Sequence, residues 1–126
     1  MKKIIFTKNA PTPIGPYSQA VLSGNTLYVS GQIPSNPLTG ALIMSSIEEQ
    51  TKQVMENLKA ILSEVDMSFD NVVKATIFIT DMSDFSKINS VYGSYFSETN
   101  APARETVQVS RLPKDVNVEI SVIAIK

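Results

Sequence analysis

Two side chains in this sequence are of the types that together can handle a small carboxylate and a water molecule. Arg104 follows Pro102-Ala103 where an extended segment opens, and Glu119 lies in the last apolar segment. A planar guanidinium can clamp a carboxylate with two parallel donors and keeps its charge at every physiological pH. A carboxylate near water can act as a base. Val118 and Ile120 flank Glu119, so strand alternation places Glu119 on the face opposite to theirs. The same residues also describe an Arg and a Glu that merely face solvent, and spacing alone does not choose between the two. Asn89 falls within an apolar stripe, where a buried amide must be hydrogen-bonded; it either braces a loop or faces a site. Tyr17 caps the rigid turn Gly15-Pro16, as a packing residue or as a site residue. Ser30-Gly31-Gln32 ends a strand at a glycine, where backbone amides can approach a small anion.

Other chemistries are closed to this chain. It has no Cys and no His, which removes disulfides, thiolate nucleophiles, Ser-His-Asp triads and zinc sites with nitrogen or sulfur ligands. No Asp-rich loop of the calcium-binding kind occurs, so no metal is expected. Eleven basic against twelve acidic residues give a net charge of −1, which argues against binding nucleic acid through phosphate neutralisation. The opening run Ile4-Ile5-Phe6 is too short for an export signal, and no stretch is long enough to span a membrane. A cytoplasmic protein is the expectation.

The elements that must position these residues are readable from period and punctuation. With 126 residues, 43% of them apolar, residues 1–126 form a single domain able to bury a core without staples. Lys2–Thr7 reads as a strand, and Asn9–Pro16 as a proline-fixed loop. Ser18–Ser23 and Thr26–Ser30 flank Gly24-Asn25 as a hairpin. Ser45-Ser46-Ile47-Glu48 matches a capping box with Ser45 at the cap, leading a helix of about five turns striped by Ile47, Val54, Leu58, Ile61 and Leu62. Asn71–Thr80 alternates, with Val73, Ala75, Ile77 and Ile79 on one face. Ser83 or Asp84 can cap a second helix carrying Phe85, Ile88, Asn89, Tyr92, Tyr95 and Phe96 on one stripe. Glu105–Val109 and Asn117–Ile125 are the last strands.

This order predicts an α+β fold, a mixed β-sheet with two helices packed on one face. Val118, Ile120, Val122 and Ala124 line one side of the last strand, yet Ile123 and Ile125 are apolar on the other. Two helices cover one face only, so the second face predicts self-association, with cyclic symmetry the usual solution.

Four segments in order carry a resemblance: Ile14-Gly15-Pro16-Tyr17-Ser18-Gln19-Ala20, Val29-Ser30-Gly31-Gln32-Ile33-Pro34, Pro102-Ala103-Arg104, and Arg111-Leu112-Pro113-Lys114-Asp115 with Val118-Glu119-Ile120. Together they resemble the RidA/YjgF family of imine deaminases from about Ile4 to the C-terminus. The resemblance implies a chorismate-mutase-like fold and a homotrimeric, barrel-like assembly with ligand sites in clefts between subunits. It implies hydrolysis of reactive 2-imino acids and their enamines, such as 2-aminoacrylate, 2-iminopropanoate and 2-iminobutanoate, to 2-oxo acids and ammonia, with no cofactor. By the same resemblance Arg104 would hold the substrate carboxylate and Glu119 would position the attacking water. Tyr17, Ser30, Gly31 and Asn89 match cleft positions. Many members carry a Cys where this chain has Thr106, and a small residue where it has Glu105. The Cys serves mainly through its backbone amide, which Thr106 retains, so activity is expected to survive.

Two other functions stay in view. A metabolite-sensing regulatory or chaperone-like protein could use the same cleft, and an endoribonuclease activity is ascribed to some relatives. The slight acidity and the lack of His weigh against the latter.

Overall fold

The computed structural model describes all residues, Met1–Lys126. Chain order gives β1 (Lys2–Ile5), β2 (Ala20–Ser23), β3 (Thr26–Gln32), α1 (Ile47–Glu64), β4 (Val72–Ile79), α2 (Phe85–Gly93), β5 (Ala103–Gln108) and β6 (Val118–Ile125). The strands form one six-stranded sheet in the order β1-β2-β3-β6-β4-β5. All pairings are antiparallel except β4 with β5, which run parallel because the chain crosses over through α2 between them. The hairpin Ser23–Thr26 closes through Gly24-Asn25, with Gly24 at φ +59, the glycine-first form that a two-residue turn favours.

Helix α1 lies on the sheet against β3 and β6, with α2 beside it. Val54, Met55, Leu58, Ile61 and Leu62 are fully enclosed between the helix and Leu27, Ile77, Ile79, Ile120 and Ala124. The opposite face of the sheet carries no helix. Tyr28, Ile123 and Ile125 stand there, with Tyr28 51% and Ile125 42% exposed.

Four local expectations are corrected. The cap of α1 is Ser46, whose Oγ accepts from the Glu49 N–H; Ser45 lies outside the helix. Two Ser-x-x-Glu frames overlap here, and the helix takes the second, with buried Ile47 as its first residue. A bulge between Val72 and Lys74 turns Val72 into the core and leaves Val73 45% exposed, where plain alternation had placed Val73 inside. The second helix is entered through a short 3₁₀ turn capped by Asp81, whose carboxylate accepts from the Ser83 N–H; Asp84 makes no side-chain cap. That helix ends at Gly93, so Tyr95 and Phe96 follow it in a turn and pack edge-on against Phe69.

Candidate functional site

The predicted site residues fall into two groups on opposite faces of the sheet. Residues directly across a ladder share a face, which fixes the assignment. Arg104 pairs with Ala75 and Thr106 with Ile77, both buried under the helices, so Arg104 and Thr106 point to the helix side. Glu119 pairs with Phe78 and lies between Val118 and Ile120, which point to the helix side, so Glu119 points the other way.

The first group gathers around Arg104. Its Nη1 donates to Asn89 Oδ1 at 2.6 Å. Its guanidinium carbon sits 5.0 Å from the Tyr92 ring centroid and 5.7 Å from that of Phe85. Phe85, Asn89 and Tyr92 lie on one face of α2 by helical spacing, so a single helix face supplies an amide and two aromatic planes. None of these groups carries a negative charge. Arg111, the other arginine, is bound to Asp115 through two N–H donors, whereas Arg104 makes no ion pair. A partly buried guanidinium braced by neutral partners retains its charge for an external anion. Asn89 was expected within the buried stripe; it is exposed in the chain, and it braces Arg104 rather than a loop. The Thr106 hydroxyl and the Tyr92 hydroxyl are the two buried side-chain polar atoms without a hydrogen-bond partner. Burial pushes the Tyr92 phenol up to about 12, against the opposing pull of Arg104, so it stays neutral.

The second group lines a cavity of about 460 Å³ that contains Tyr17, Ser30, Gly31 and Glu119. The loop before β2 forms one wall. Buried Gln19 holds it: the side-chain amide donates to the carbonyls of Thr7, Ala10 and Pro11 and accepts from the Thr7 N–H. Tyr17 is exposed, its N–H turned back to the Gly15 carbonyl at 2.9 Å. Ser30 donates its hydroxyl to the Ser18 carbonyl at 2.6 Å and its N–H to the Gln19 carbonyl at 2.9 Å, locking the strand end to the loop. Glu119 crosses bare backbone at Gly31, and desolvation holds its carboxyl group above the ordinary carboxylate range.

Sequence reasoning missed Gln19, Phe85 as a brace for Arg104, and Lys114, which also lines the cavity. The sequence held no signal for Lys114: a turn with Pro113 second accepts most residues third unless that position is left-handed, as it is here. No cluster of three or more acidic side chains converges where a metal ion could be held. No helix is long and apolar enough to cross a membrane.

A six-stranded mixed sheet in this order with two helices on one face is the α+β, chorismate-mutase-like class. Within that class the chain belongs to the RidA/YjgF family: the family described as Endoribonuclease L-PSP matches residues 7–126. A RutC family protein of Pyrococcus horikoshii is 55% identical over all of this chain and 99% of its own. The 2-iminobutanoate/2-iminopropanoate deaminase of Escherichia coli is 45% identical, over all of this chain and 99% of its own length. The solved structure of E. coli TdcF with bound serine superposes with a TM-score of 0.93 at 46% identity, covering 98% of each chain.

Proposed function

We propose that this protein is a hydrolytic 2-imino acid deaminase whose site is completed between copies of the chain. The observation that carries the reading is Arg104, the arginine without an ion pair, braced by Asn89, Phe85 and Tyr92 so that its charge faces outward. The E. coli deaminase supports the reaction class, and serine bound to TdcF supports a ligand the size of a small amino acid.

In this reading Arg104 holds the substrate carboxylate, with the Thr106 backbone amide beside it. Glu119 takes a proton from water as the water's oxygen bonds to the electrophilic imine carbon. That proton passes to the nitrogen. Glu119 then takes the remaining hydroxyl proton as the carbonyl forms and the carbon–nitrogen bond breaks, releasing ammonia and a 2-oxo acid. Glu119 returns this second proton to solvent. A desolvated carboxylate with a raised pKa is well matched to that relay near neutral pH. The iminium carbon needs no covalent nucleophile, which suits a chain without Cys or His.

Arg104 and Glu119 lie on opposite faces of one sheet, so one copy's Arg104 must meet another copy's Glu119. The open apolar face bearing Tyr28, Ile123 and Ile125 is the surface for that assembly, a homotrimer closed by cyclic symmetry. The test mixes two inactive proteins. Arg104→Ala and Glu119→Gln chains, unfolded together and refolded into mixed trimers, should regain activity at about one site in four, because an intact Arg104 then meets an intact Glu119. Mixed trimers as inactive as their parents would overturn the shared site.

A further inference from the structure

The turn after Arg111 presents a lysine in a backbone conformation that lysine disfavours. Asp115 N–H donates to the Leu112 carbonyl at 3.0 Å, closing a turn with Pro113 second and Lys114 third. Lys114 has φ 55 and ψ 22, and Asp115 follows at φ 58, so two consecutive non-glycine residues are left-handed. That position of a proline turn is the one where glycine or asparagine is the easy choice. Arg111 pins the strained pair by gripping Asp115 at 2.5 and 3.1 Å, one residue beyond the lysine.

The consequence is a lysine set on the wall of the Glu119 cavity. Lys114 is the one cation among the lining residues, and Glu119 the one anion. Lys114 makes no ion pair within the chain. Lys114 and Glu119 form no ion pair with each other across the cavity.

We infer that Lys114 is a specificity-determining residue of the cavity, held strained so that its ammonium draws a carboxylate-bearing ligand past the like charge of Glu119. The inference rests on the proposed deaminase reading for the identity of the ligand. The carboxylate of a ligand that approaches Glu119 meets repulsion in a partly desolvated cleft, where charges are felt strongly. A free cation at the wall offsets that repulsion along the entry path and raises the association rate, an effect that salt screens.

The experiment measures 2-oxobutanoate binding by calorimetry and 2-iminobutanoate hydrolysis, from low to high salt, in wild type, Lys114→Gly, Lys114→Gln and Lys114→Arg. Lys114→Gln should weaken 2-oxobutanoate binding and lower kcat/KM by roughly tenfold at low salt, with kcat unchanged and the difference closing as salt rises. Lys114→Arg should restore both. Lys114→Gly should bind as weakly as Lys114→Gln while melting higher than wild type, because glycine relieves the left-handed strain. Equal affinities and equal salt slopes in Lys114→Gln and wild type would overturn the inference. Wild type that binds 2-oxobutanoate but hydrolyses no imine would overturn the deaminase reading alone, and the binding series would still judge Lys114. Wild type that does neither would overturn both.

Discussion

The carboxyl group of Glu119 lies directly over Gly31: a β-carbon added at Gly31 would stand 2.7 Å from both Cδ and Oε2 of Glu119. Gly31 is not in the left-handed region, so its backbone accepts any residue. The missing side chain leaves room for the end of the glutamate.

Gly31→Ala should therefore fold and assemble normally, because the atom it strikes is the movable end of a side chain. Its cost should fall on catalysis, since a displacement of about 1 Å at a reacting group can lose on the order of a hundredfold in rate. Melting temperature and imine turnover check this together. A variant with full activity would mean that the observed seat of Glu119 is not the working one.

Glu119→Gln should reduce kcat strongly with little change in binding of 2-oxo acids, and it should also change stability with a definite pH signature. The folded protein holds the Glu119 proton more tightly than the unfolded chain does, because burial disfavours the charge. The stability tied to this group is thus full below the ordinary carboxylate pKa and falls as pH rises through the raised folded value. Gln never carries the charge. The variant should melt above wild type near neutrality, and the two curves should merge below about pH 4. Curves that run parallel at every pH would refute the burial account.

Asn89→Asp should close the Arg104 site from within. Asn89 now accepts from Nη1 at 2.6 Å; an aspartate there would form an ion pair and satisfy the guanidinium. Carboxylate binding should drop by about ten- to a hundredfold, the worth of a charge-assisted hydrogen bond of roughly 1.5–3 kcal/mol, without loss of fold. Arg104→Lys should fail nearly as badly as Arg104→Ala, since a point charge lacks the paired donors. Either Arg104 variant binding 2-oxobutanoate as tightly as wild type would show that the clamp lies elsewhere.

Thr106→Val should stabilise the protein by about 1 kcal/mol, because it deletes a buried hydroxyl that has no partner and keeps the shape. Activity should persist through the backbone amide. Thermal melts and kinetics on the same preparation decide both halves, and a destabilised variant would reveal a partner for that hydroxyl in the assembled protein.

How much of this was legible in the sequence depends on whether the signal was local. The stripe Val54–Leu62 and the alternation Val118–Ala124 are periodic within one element, and both formed as read. Glu119 could be placed on its face because its own neighbours are apolar. Arg104 could not: its strand is too polar to show a face, and its orientation comes from parallel pairing with Ala75 across a crossover. Val73 and Val72 exchanged places because a bulge leaves no trace in an alternating pattern. Asn89 sat in an apolar stripe yet stayed exposed, since its helix is partnered along Ile88 and Tyr92 and the Asn89 edge is left to Arg104.

Strand β4 lies between β5 and β6, pairing Ala75 with Arg104 and Phe78 with Glu119, so the two residues leave one sheet on opposite faces and, in the proposed ring, belong to two different clefts. In the proposed ring this has a genetic consequence. An allele lacking Arg104 alone spoils one cleft wherever its chain is incorporated, while an allele lacking both residues spoils two. Such a chain would still fold and take its place, so a heterozygote would lose more activity than one whose second allele makes no chain at all. Only the allele lacking both residues should behave as dominant; an allele lacking one of them should cost no more than complete loss.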